Sequence, residues 1–295
     1  ALARAAAIAC PTVETLVKGL RMRVAGQLHQ ARALNSLAEN SPWAQAQGTR
    51  YAIAAGPMTR VSDTAEFAGA VAEAGGLPFQ ALSLMPADAC RALLTATRDR
   101  LGERPWGVGV LGFADAAILE PQLELVREFR PAALLLAGGR PSQARPFVEL
   151  GIPTYLHVPS PGLLELFLKD GATHFVFEGR ECGGHVGPRY SFVLWEQAMA
   201  LLRQVERPET LHILFAGGIQ DARSAAMVAA LAAPLAALGA KIGVLMGTAY
   251  IATAEIVAAG AITADFQAQA LAGQTTALVE TAPGHAVRGL ASGFT

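Results

Sequence analysis

Residues 178–187 read Glu178-Gly179-Arg180-Glu181-Cys182-Gly183-Gly184-His185-Val186-Gly187. Gly183 and Gly184 withdraw side chains where a flat ligand could press against backbone, and His185 then stands beside that ligand. Histidine titrates near neutral pH, so it suits proton exchange with a substrate carbon. The plainer alternative is a histidine hydrogen-bonded in a surface loop. Two further turns, Ala216-Gly217-Gly218-Ile219 and Met246-Gly247-Thr248, end apolar runs with glycine. Glycine lets backbone N–H groups approach a phosphate, and a following helix N-terminus favours negative charge. Thr248 adds a hydroxyl donor. Each turn alone could be an ordinary tight connection, since glycine is the default turn residue; two at neighbouring strands point to phosphate.

These turns need a frame. From residue 51 short apolar runs alternate with helical stretches: 51–55, 77–82, 106–111, 133–137, 152–158, 173–177, 212–216 and 241–246. Most are apolar throughout, as expected of parallel strands buried on both faces. Eight such units in about 240 residues match an α/β (β/α)8 TIM barrel, whose site lies at the C-terminal ends of the strands. A doubly wound open sheet is the architectural alternative. Gly107-Val108-Gly109-Val110-Leu111-Gly112 matches the dinucleotide pattern G-x-G-x-x-G, but no strand precedes it and no acidic residue ends the next strand. It reads instead as the third strand itself.

Residues 1–50 read as an N-terminal helical extension or linker, with 51–295 as the barrel. Helix is expected over 1–47, with Thr12 as N-cap, a stop at Ser41-Pro42, and Leu16, Leu20, Val24 and Leu28 at four-residue spacing. This stripe should pack on the barrel or a neighbouring domain. The chain begins with Ala1 rather than Met, which suggests a domain cut from a longer polypeptide.

Composition excludes several classes. Of 295 residues, 52% are hydrophobic and 16% charged, so a large core is available and disorder is not expected. The formal net charge of −1, without a basic block, gives nucleic acid or an anionic membrane no footprint. Cys10, Cys90 and Cys182 are scattered and odd in number, so neither a disulfide framework nor a metal site is expected, and a reducing cytoplasm is the natural setting.

Taken in order, Ala54-Ala55-Gly56-Pro57-Met58, Ala70-Val71-Ala72-Glu73-Ala74-Gly75-Gly76, the Cys182–Gly187 turn, Ala216–Ile219 and Met246–Thr248 resemble the nitronate monooxygenase (2-nitropropane dioxygenase-like) family. That family includes FMN-dependent enoyl reductases of fatty acid and polyketide synthases. The resemblance covers 51 to about 290 and implies FMN in a TIM barrel, with NAD(P)H as reductant. It places Gly217, Gly218, Gly247 and Thr248 at the phosphate, and Ala55, Gly56 and Met58 along the isoalloxazine. Glu178 and Gly183 would lie near the flavin, with His185 as the catalytic histidine. Three departures stand out: Gly109 where many members have asparagine, His157 near a common lysine position, and Cys182 where alanine is usual. Cys182 reads as a packing residue, and Arg180, Glu181 and Arg189 as solvated loop charges. His157 could line the pocket, while His285 and Arg288 could close the tail near the site.

The leading expectation is an enoyl-thioester reductase domain of a polyketide or polyunsaturated fatty acid synthase, acting on a small-molecule or carrier-bound acyl substrate. The alternatives are a nitronate monooxygenase and a non-catalytic docking module.

Overall fold

The computed structural model describes residues 8–282 and 285–291. Eight parallel strands close into a barrel: β1 (Ile53–Ala55), β2 (Leu77–Ala81), β3 (Gly107–Leu111), β4 (Ala133–Ala137), β5 (Thr154–His157), β6 (His174–Glu178), β8 (His212–Ala216) and β9 (Lys241–Met246). The ring closes where β1 pairs with β9, Ile53 opposite Val244. The eight expected runs are these strands, with ends shifted by a few residues.

Alternation along each strand sorts the core into two shells. Leu77, Phe79, Leu135, Tyr155, Val176 and Leu214 fill the barrel. Val108, Val110, Leu134, Leu136, Phe175 and Phe215 pack outward against the helices. The G-x-G-x-x-G match is β3, and its glycines serve packing. A Cβ on Gly107 would fall 2.5 Å from the Phe79 ring, and one on Gly112 would fall 2.6 Å from the Gly139 Cα.

Among the described residues the N-terminal segment is not one continuous helix, as expected: residues 13–47 form two. Thr12 caps the first, α1 (Val13–Leu34), by accepting the Thr15 N–H. The helix stops at Asn35, which adopts a left-handed conformation (φ 45°) and bonds back to Ala31. Pro42 opens a second helix, α2 (Pro42–Gln47), instead of ending the first. Its fixed φ suits a first turn, where the missing N–H costs nothing. Trp43 of α2 is fully buried and plugs the N-terminal end of the barrel; a Cβ on Gly243 would meet its ring at 2.9 Å. α1 lies against the later helix Ala222–Ala236, where the Gln27 amide donates to the Ala230 carbonyl at 2.8 Å. Residues 1–7 of the expected helix lie outside the described residues.

A second sheet was not expected. The strand β7 (Gly184–Val186) leaves the barrel and pairs antiparallel with β11 (His285–Leu290), which pairs with β10 (Thr276–Ala282). Among the described residues no helix is long and apolar enough to cross a membrane, and no three metal-ligating side chains converge.

Candidate active site

Inward side chains shrink towards the C-terminal mouth. Ala81, Ala137 and Ala216 end the inward phase of their strands, and Gly109 stands one inward position before the end of β3, leaving room, with His157 and Glu178 as the polar exceptions. A shallow recess of about 630 Å³ at the other end, between Gly48 and residues 99–105, is lined by backbone and solvated charges and gathers no chemistry.

Around the mouth the loops interlock. Gly183 lies beside Thr248, whose Oγ would be 3.2 Å from a Cβ there, and Gly247 lies beside Met58, 3.5 Å from its Sδ. Gly56 donates to the Met246 carbonyl at 2.9 Å and accepts from the Ser62 hydroxyl at 3.0 Å, tying the first loop to the last strand. The methyl of Ala55 packs outward with Phe67, Val71 and Ile256, so only its backbone faces the mouth.

Gly217 and Gly218 both have positive φ, 98° and 72°. At Gly217 a Cβ would fall 2.8 Å from the Ser191 hydroxyl, so only glycine fits. The amides of Gly217, Gly218, Gly247 and Thr248 donate to no backbone carbonyl among the described residues. Bare backbone, free N–H groups and a hydroxyl within one corner are the donor set a phosphate requires, so these residues fit FMN. Glu181 does not intrude. Its carboxylate caps the helix Ser191–Leu202, accepting the Ser191 N–H at 2.8 Å and hydroxyl at 2.6 Å. It is a helix cap rather than the solvated charge expected.

Glu178 is not free to meet a ligand with its whole carboxylate. It pairs with His157 Nε2 across the ends of β5 and β6, both side chains at least three-quarters buried. Burial opposes the charge on each, and the partner outweighs it: His157 is held above its usual value and Glu178 below its own. His157 thus supplies the cation near the position where the family often has lysine. The departure at Gly109 has a steric cause, since any Cβ there would lie 2.3 Å from Pro57. Cys182 is buried, and burial together with the Glu178 carboxylate pushes its thiol up. It therefore stays protonated, with Sγ 3.6 Å from the His185 carbonyl, and is no nucleophile.

His185 is exposed at the mouth, on β7 opposite Val287 of β11. Arg288 fixes this strand from outside. Its backbone pairs with Gly184, its Nε donates to the Arg180 carbonyl at 2.8 Å, and its Nη1 donates to the Thr276 hydroxyl at 2.6 Å. Arg288 does hold the tail at the site; the His285 side chain lies outside the described residues. The sequence reading missed Phe113, whose ring stands edge-on to His185 with centroids 6.1 Å apart. It lies in the turn after β3, where no motif marks it.

The model of the nitronate monooxygenase family matches residues 151–295. Over these residues, from the lead-in to β5 onwards, the chain is similar to that family. That match and the structural neighbours support an enzyme of the FMN-dependent oxidoreductase kind. FabK from Thermotoga maritima is 28% identical with a TM-score of 0.67, over 85% of this chain and 74% of that one. Nitroalkane oxidase from Streptomyces ansochromogenes shares the fold at 20% identity and TM-score 0.68, over 85% and 80% of the two chains. So does the enoyl reductase domain of MlnA from the macrolactin biosynthesis cluster of Bacillus amyloliquefaciens, at 16% and 0.64, over 86% and 66%. Among curated proteins nothing matches.

Proposed function

We propose that the enzyme is an enoyl-thioester reductase, with a carrier-bound or small-molecule acyl substrate and a place beside other domains of a synthase. When bound, FMN supplies the hydride that goes to the substrate β-carbon, having been reduced by NAD(P)H. Gly217, Gly218, Gly247 and Thr248 hold its phosphate; Gly56, Met58 and Gly183 border its ring. His185 gives its proton to the α-carbon, so that the double bond is lost and the thioester is kept. Cys182 and Arg288 hold the turn that carries His185, and the Glu178–His157 pair forms the floor beneath it.

The observation that carries this reading is His185 itself, placed on an exposed strand of a small sheet at the same mouth as the glycine turns. A positioned, solvent-reachable acid suits protonation of a carbon beside a carbonyl. Anaerobic mixing with NADPH or NADH should bleach the flavin, and a trans-2-enoyl thioester should restore its colour. A flavin that neither nicotinamide reduces contradicts the proposal. The family match keeps nitronate oxidation as the second reading: oxygen uptake with a nitronate, without nicotinamide, would establish it instead. A purified protein that binds no FMN would point to a docking module.

A further inference from the structure

We propose that Phe113 is the specificity-determining wall of the mouth, selecting substrates with an apolar chain next to the reacting carbon. This rests on the enoyl-thioester reading and names the part of the substrate that the pocket grips. The Phe113 side chain is 57% exposed, an unusual position for a large aromatic, yet its place is tightly built. Ala114 donates to the Leu111 carbonyl at 3.0 Å, making a turn with Phe113 at its tip. The Gly112 amide donates to Ala137 at 2.9 Å, and the Gly112 carbonyl accepts from Gln143 Nε2 at 2.9 Å, so the turn is held from both sides.

Two glycines on the next loop make the seat. The Gly139 Cα would lie 2.6 Å from a Cβ on Gly112, so the loops meet backbone to backbone. Gly138, at φ 67°, leaves the space the ring needs, since a Cβ there would fall 2.6 Å from Phe113 Cδ1. The result is one exposed ring delivered edge-on to His185. That ring offers apolar surface directly beside the proton donor. A short, charged substrate would gain nothing from it, whereas the methylenes of an acyl chain would be covered by it. Leu84, 65% exposed on the loop after β2, adds apolar surface at the neighbouring strand end.

The test uses saturated thioesters, which cannot be reduced. Calorimetric titration of the purified protein with butanoyl- and decanoyl-pantetheine gives the ratio of their affinities. Each methylene fully removed from water is worth roughly fourfold in affinity, so a ring covering two gives on the order of tenfold. The protein as it stands should prefer decanoyl, and Phe113→Ala should cut that preference about tenfold, with Phe113→Leu restoring part of it. Equal binding of the two thioesters, or an Ala variant with an unchanged ratio, would overturn the proposal. Because no turnover is needed, failure to reduce any enoyl thioester would remove the reductase reading and leave this result standing on its own.

Discussion

Gly218 and Gly217 are neighbours with different duties, and the difference makes a test. Gly217 is walled in by Ser191, so a substitution there disturbs packing. Gly218 opens outward, with its nearest neighbour the Glu181 Cβ at 3.6 Å from a would-be Cβ. Its φ of 72° is one that aspartate tolerates better than most residues. Gly218→Asp should therefore fold yet lose FMN, because a carboxylate would stand against the phosphate; loss of the flavin absorbance, with a melting temperature close to that of the parent stripped of FMN, is the expected outcome. The pair at the floor gives a second test. His157→Gln strands a mostly buried carboxylate and should cost roughly 2 kcal/mol in urea unfolding, of which His157→Gln with Glu178→Gln recovers a good part. A single variant as stable as the parent would show the pair to be idle. This pair was half legible in the sequence. Both residues end apolar strands, but nothing in one dimension says that adjacent strand ends bring them together.

The element that matters most at the mouth is the three-stranded sheet. His185 sits on a strand only three residues long, Gly184–Val186, which the ladder to β11 makes a strand at all. Arg288 ties that ladder to Arg180 and Thr276. Arg288→Ala should leave FMN binding unchanged, speed amide exchange across Gly184–Val186 at least tenfold, and slow turnover with little change in KM. Exchange as slow as in the parent would mean that the hairpin holds without it. The barrel strands were legible because burial on both faces makes them continuous apolar runs. The hairpin was not, because residues 276–280 are mostly exposed and β7 carries two polar-loop signals, a glycine and a histidine. The Pro283-Gly284 pair between two β-rich runs was the available hint.

Across the whole molecule, chemistry is gathered at one end and the other end is sealed. At the starts of β6 and β8, His174 and His212 stack with centroids 4.2 Å apart. Burial, then the His212 and Lys241 charges, brings His174 down from 6.5 to about 3; burial and Lys241 bring His212 to about 4. Both values are depressed, so the unfolded chain takes up protons first as pH falls. Stability is therefore full at neutral pH and drains from about pH 6.5 downwards, until the folded values are passed. By pH 5 each histidine should cost about 2 kcal/mol, and His212→Gln should flatten this acid limb in a series of urea melts. His157 acts oppositely: its contribution is lost as pH rises through its raised value, while that of Glu178 is lost as pH falls through its lowered one. The sealing helix was read in the sequence as the tail of a longer one, since Asn35 gives no warning there and only the left-handed turn separates the two.

The most direct test of the account is the His185→Ala variant, studied anaerobically with each half-reaction followed by flavin absorbance. The His185 side chain is not among the groups that would hold the phosphate, so FMN should stay bound and reduction by the nicotinamide should proceed at the parent rate. Reoxidation by the enoyl thioester should fall by roughly a hundred- to ten-thousand-fold, the range of a positioned acid. Reoxidation at the parent rate would contradict the central claim that His185 delivers the proton.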